Sequence, residues 1–187
     1  MRPNKSKGVL EPAALKLFAE KGVAETSIRD IAAAADLAEG TLYRHYPSKE
    51  AFAKHLYQNA ASTVVKELQA IHADSQDMES CFSGIVVFLC NLFDEETEIF
   101  TYVFLTPVTT LHTLGIKNEH PIRAVAEILK AWFEKRSLTD RVPELVAAEI
   151  LGAISGVASQ IQLGVLKDSM ENYADDVMMA VFRLLKA

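Results

Sequence analysis

Cysteine is almost missing from this chain, which has only Cys81 and Cys90 among 187 residues. Nine positions apart on a helix, the two thiols face opposite ways and sit about 13 Å apart along the axis, too far to pair within that helix. Two buried, reduced thiols are expected, and with them a cytoplasmic setting. Glycine and proline are also scarce, with 8 and 6 residues, which disfavours a turn-rich β sandwich or barrel. No run of about 18 apolar residues is present, so no membrane-spanning helix is expected. The start, Met1–Gly8, is basic but lacks the apolar stretch of a secretion signal. HExxH, P-loop, dinucleotide-glycine and CxxC patterns are all missing, so neither an enzyme nor a bound metal or cofactor is expected. The acidic cluster Asp94, Glu95, Glu96 and Glu98 and the Glu119–His120 pair read as solvated helix ends.

What is present is an ordinary globular composition, 50% hydrophobic and 24% charged, sufficient for a sizeable core. Frequent Ala, Leu, Glu and Lys favour helices. The formal net charge of −6 is unevenly spread. Residues 1–57 hold 9 basic and 7 acidic side chains, a balance of +2, which leaves −8 for the rest. A mildly basic head on an acidic body points to a nucleic-acid contact confined to one end.

Leu10, Ala14, Leu17 and Phe18 recur at helical spacing and predict a first helix over about 9–21, stopped by Gly22. Thr26 and Ser27 offer a cap, with Asp30 at near capping-box spacing, for a short helix over about 27–34. A tight turn then leads to a third short helix over about 38–45. It carries Leu42 inward and Thr41, Tyr43, Arg44 and His45 outward or sideways. Pro47-Ser48 breaks the chain before a long helix over about 49–72. Further helices are expected near 77–93, 97–104, 108–114, 119–136, 143–166 and 170–185.

Two short helices joined by a tight turn have helix-turn-helix geometry, which sets the second helix in a DNA major groove. Leu37 and Leu42 lock the pair, and Gly40 permits close approach to a DNA backbone. Thr41, Tyr43, Arg44 and His45 supply a hydroxyl, a phenol, a guanidinium and an imidazole for base edges and phosphates. The runs Ala13–Gly22, Thr26–Ala32 and Gly40–Glu50 resemble, in order and spacing, the DNA-binding head of TetR-type transcriptional regulators. The resemblance covers about residues 9–57. It implies that Thr41, Tyr43, Arg44 and His45 touch bases or phosphates, with Arg29 approaching a phosphate from the preceding helix. It also implies that Lys49 meets a phosphate at the start of the long helix, and that Tyr46, in place of the usual Phe, packs the third helix onto the first. Three positions depart from the pattern: Asp36 where Gly is usual in the turn, Ala38 where Ser usually caps, and Glu39 before Gly40. The basic arm of Arg2, Lys5 and Lys7 is a candidate second contact, in a minor groove.

One short recognition helix reads few base pairs, so a two-fold dimer is expected. The resemblance implies that the last two long helices form a four-helix bundle with their counterparts. Leu151, Gly152, Ile154 and Gly156 on one helix, and Val177, Val181 and Leu184 on the other, are the expected contacts. The many rings of the body suggest an apolar ligand pocket between helices, with Phe93, Phe104 and Trp132 lining it and His112 and Gln160 as polar groups. The reading is therefore all-α: a helix-turn-helix domain over 1–48 and a helical regulatory and dimerisation domain over 49–187. Its expected function is that of a cytoplasmic, nucleoid-associated homodimeric repressor, bound to a near-palindromic operator and released by an apolar or amphipathic ligand. A DNA-bound adaptor controlled by a protein partner is the alternative.

Overall fold

The computed structural model describes residues 6–117, 120–138 and 140–186. It is 78% helical, with no strand among the described residues. Among the described residues, ten helices follow in order: α1 Lys7–Glu25, α2 Ile28–Ala34, α3 Gly40–Tyr43, α4 Lys49–Asp74, α5 Met78–Glu95, α6 Thr97–Phe104, α7 Val108–Thr113, α8 Ile122–Lys135, α9 Pro143–Gln162 and α10 Ala174–Lys186. A 3-10 turn, Met170–Tyr173, leads into α10.

The stops and starts have local causes. Gly22 breaks α1 at φ 82°, ψ 162°, and the buried Thr26 hydroxyl donates to the Gly22 carbonyl at 2.8 Å. Ser27 and Asp30 form a reciprocal capping box on α2, and Asp77 and Ser80 form another on α5. The ends of α2, α7, α8 and α9 share one device. At each end a residue with positive φ (Asp36, Gly115, Ser137, Gly164) turns the chain so that its own amide and the next one point back onto the last turn. Asp36 N–H thus donates to Ala33 O, and Leu37 N–H to Ala32 O.

Two apolar clusters organise the packing. The body cluster gathers the buried faces of α5, α8, α9 and α10 with the distal half of α4. The head cluster gathers Leu10, Ala14, Phe18, Ile31, Leu42 and Tyr46, and extends beyond the expected boundary at 48/49 to Phe52, Leu56 and Tyr57 of α4, Tyr102 and Val103 of α6, and Leu111 and Leu114. Helix α6 serves both. Phe100 packs into the body, whereas Tyr102 stacks on Phe18 at 5.7 Å and donates its hydroxyl to Ala53 O at 2.9 Å.

Long-range polar ties close the body. Asp94, expected to be solvated, accepts the amides of Met170 and Glu171 at 2.8 and 2.9 Å and so pins the 3-10 turn to α5. Arg141, before α9, donates to the Leu184 and Leu185 carbonyls at the end of α10 and lies over the Phe133 ring. Cys81 and Cys90 are buried free thiols. Burial, with the Asp94 charge nearby, pushes the Cys90 thiol up to about 11.

Helix α9 carries an 18-residue window of mean hydropathy 1.3, long and apolar enough by length and composition to cross a membrane. Here it packs on α8, α10 and α5, and only 33% of that window is buried.

Candidate nucleic-acid interface

The helix-turn-helix is built outward from Leu42. This side chain is fully buried in the head cluster, with Leu37 of the turn packed against the same cluster. Helix α3 has only four residues, but Glu39 and Arg44 keep helical angles on either side of it. The Tyr46 amide then folds back onto the Leu42 carbonyl at 2.9 Å. No side chain caps α3, as Ala38 foretells. Around this anchor, Tyr43 is 57% exposed, and Arg29, Glu39, Gly40 and Arg44 are exposed as well. A Cβ built on Gly40 would meet nothing within 4 Å, so close approach is open from the solvent side.

Several expected contact residues have other work. Thr41 is not on the exposed side: it is 4% exposed, and its hydroxyl accepts from Arg44 Nη2 at 2.9 Å. A four-residue helix pinned through Leu42 turns position 41 inward with it. Tyr46 is buried, stacks on Phe52 at 4.4 Å and donates to Glu11 Oε1 at 2.9 Å, so it ties α3 to α1. Burial, together with the Glu11 carboxylate, raises its phenol well above the ordinary value. His45 is half-buried and hydrogen-bonds Ser6 Oγ at 2.8 Å. Lys49 does not extend toward solvent in this structure. Its Nζ donates to the carbonyls of Val23, Ala24 and Thr26 at 2.7, 3.3 and 2.9 Å and closes the end of α1.

Ser6 and Glu11 escaped the sequence reading because their partners lie 39 and 35 residues away, and no local pattern encodes such a pair. Lys7 of the basic arm lies over the Tyr46 ring at 5.0 Å. Arg2 and Lys5 of that arm, and Glu119, lie outside the described residues. No group of three or more His, Cys, Asp or Glu gathers in metal-binding geometry among the described residues.

The sequence model for "Bacterial regulatory proteins, tetR family" matches residues 12–56, the segment that builds this unit. The chain belongs to the TetR family. It is a transcriptional regulator of that family, with a DNA-binding helix-turn-helix head and a helical C-terminal body. Among TetR-family relatives, it is 33% identical over 73 residues to the HTH-type transcriptional repressor KstR2 of Rhodococcus jostii; the match spans 39% of this chain and 36% of that protein. Solved structures share the fold over nearly the whole length. The fatty acid degradation regulator FadR of Bacillus halodurans superposes with a TM-score of 0.81 at 19% identity, covering 97% of this chain and 96% of that one. FadR of Bacillus subtilis in complex with stearoyl-CoA gives 0.79 at 14% identity, covering 94% and 97%.

The residues expected at a ligand site are not brought together as a lined chamber. Phe93 and Trp132 are buried in the body cluster and Phe104 packs against it, whereas His112 and Gln160 are exposed. Ring packs on ring: Phe93 meets Phe100 edge-on at 5.2 Å, Phe100 meets Phe104 at 4.9 Å, and Phe104 meets His120 at 6.1 Å. This column ends at an open groove of about 450 Å³ between α4 and α8, lined by Gln58, Ser62, Val65, Gln69, His120, Arg123, Ala124 and Glu127. Burial lowers the proton affinity of His120, and its Nδ1 accepts the Ile122 amide at 3.1 Å.

The expected dimer residues also divide. Leu151, Ile154, Val177 and Val181 are buried in the chain's own core, and Leu184 is half-buried against it. Gly152 and Gly156 face outward with nothing within 4 Å of a built Cβ. Ala148, exposed on α9, and the large apolar Leu145 and Met179, at 57% and 53% exposure, are also unburied. The expected contacts on the apolar stripe of α9 therefore do not share one face: Leu151 and Ile154 pack into the chain's own core, and Gly152 and Gly156 stay outside it.

Proposed function

We propose that this TetR-family regulator is a homodimeric repressor that binds a near-palindromic operator through α2 and α3 and releases it when an apolar or amphipathic ligand enters the body. The observation that carries the reading is the exposed set Arg29, Tyr43 and Arg44 around Gly40, held by the buried Leu42. A guanidinium and a phenol on a short, anchored helix suit base edges, and Arg29 suits a phosphate. Dimerisation is supported by the unpartnered face of α9 and α10, where two outward glycines four residues apart permit close helix approach. In this reading residues 1–48 contact DNA and residues 49–187 regulate and dimerise, with α6 coupling the two parts.

Ligand release is supported by the groove at His120 and the ring column behind it. A ligand that parts Phe104 from Phe100 acts on α6, whose other face holds Tyr102 against Phe18 of the head. Such coupling, typically about 1–3 kcal/mol, weakens operator binding if the ligand prefers the other head spacing. An amphipathic thioester is the ligand class to try first, because a fold relative was solved with stearoyl-CoA.

Selection of bound duplexes from a random library, with wild type and Arg44→Ala at two salt concentrations, tests the operator reading. A palindromic site whose selectivity relaxes in the variant is expected. Salt-sensitive binding without an enriched site overturns it. Stearoyl-CoA is then titrated into the complex: release without dissociation of the dimer supports the ligand reading. Unchanged binding, with protein-dependent release from a lysate, favours the adaptor.

A further inference from the structure

We propose that Thr41 is a positioning residue, and that its bond to Arg44 sets selectivity at the base pair Arg44 reads. The inference rests on α3 being the reading helix. Thr41 is too buried to meet DNA itself, at 4% exposure, yet its hydroxyl accepts from Arg44 Nη2 at 2.9 Å. Three residues apart, the two share one face of the helix. Leu42, fully buried next to Thr41, fixes the turn from which both project.

The consequence follows from arginine chemistry. An exposed arginine samples many rotamers, and ordering it on binding costs conformational freedom. One N–H group held by Thr41 orients the guanidinium plane before DNA arrives. The remaining N–H groups still suffice for a two-bond contact with guanine O6 and N7. A guanidinium held at a set angle suffers more from a wrong base edge than a freely turning one. Loss of the tether therefore reduces discrimination more than general affinity.

Thr41→Val keeps the shape and removes the hydroxyl, while Thr41→Ser keeps the hydroxyl. On the selected operator, Thr41→Val is expected to lose on the order of tenfold discrimination at the base pair that Arg44→Ala also relaxes. Thr41→Ser is expected to keep it, and the Thr41→Val/Arg44→Ala double variant to relax it no further than Arg44→Ala alone. A uniform loss at all sites in Thr41→Val would assign a merely structural or phosphate role and overturn the proposal. A second arm needs no operator. In DNA-free protein, NMR relaxation of the Arg44 Nε–H group is expected to report greater motion in Thr41→Val and wild-type order in Thr41→Ser. Unchanged order in Thr41→Val overturns the tether, whatever the selection yields. Failure of wild type to enrich any site would instead count against the operator reading.

Discussion

Replacing Lys49 with methionine separates two roles for that residue. The resemblance to TetR-type heads implies a phosphate contact, but the structure spends its ammonium group on three backbone carbonyls at 2.7, 2.9 and 3.3 Å. An ammonium has three donors, so all are engaged. A hydrogen bond from a charged group contributes about 1.5–3 kcal/mol. Holding the stem costs up to about 2 kcal/mol of rotamer freedom, and the released carbonyls are re-solvated in part. A net loss of about 1.5–3 kcal/mol is expected for Lys49→Met. At about 2–4 °C per kcal/mol for a chain of this size, the melting temperature falls by about 3–12 °C. The dependence of operator affinity on salt, read as log K against log salt, keeps its slope. A lost phosphate contact would flatten that slope by about 0.9 per protomer. Calorimetry and a salt titration of the same variant decide the matter. An unchanged melting temperature with a flattened slope would refute the reasoning.

Four further outcomes are expected. Asp36→Gly relieves a side chain held at φ 53° and raises stability by up to about 1 kcal/mol, seen as a higher midpoint in urea. Gly84→Ala places a Cβ 2.9 Å from Ile71 Cγ2; overpacking of about 1–3 kcal/mol outweighs a helix-propensity gain of at most about 1, so the variant melts lower. Arg141→Ala frees the Leu184 and Leu185 carbonyls and costs about 1.5–3 kcal/mol, with hydrogen exchange rising first along α10. His120 holds its proton less firmly than an ordinary imidazole because it is buried. The unfolded chain therefore binds that proton first, so this contribution to stability is complete above about pH 6.5 and is lost as pH falls below it. Melts between pH 7.5 and 5 should show a shallower acid loss in His120→Asn, and identical slopes would exclude His120 as a source.

The helices were legible because their signals are local. Gly22, the Ser27–Asp30 box and the helical repeat of Leu10, Ala14 and Phe18 act within a turn or two: α1 breaks at Gly22, although it continues to Glu25, and α2 starts at the Ser27 cap. Leu42 and the exposed Tyr43 and Arg44 were legible for the same reason. The polar ties were not. Tyr46 finds Glu11 across 35 residues, and Asp94 finds Met170 across 76, separations at which periodicity carries no information. The abundance of rings in the body is plain in the sequence, but abundance cannot distinguish rings that line a space from rings that fill one. Likewise, the apolar stripe of α9 announces burial without naming what buries it. Leu151 and Ile154 went to the chain's own core, and Gly152 and Gly156 did not.

The head cluster has one more consequence. Among the described residues, ten of its seventeen buried members come from beyond residue 48, from Phe52 to Ile116. A reader of DNA cut from the chain at that boundary would leave behind more than half of its own interior. Grafted onto a foreign sensor, the first 48 residues would inherit whatever surface that sensor offers in place of Tyr102, Val103 and Leu111. Exchange of specificities between such regulators is therefore better made by replacing exposed α3 side chains than by moving the head as a block. Recombination within the gene would favour junctions after Ile116, where the whole of this interior travels together.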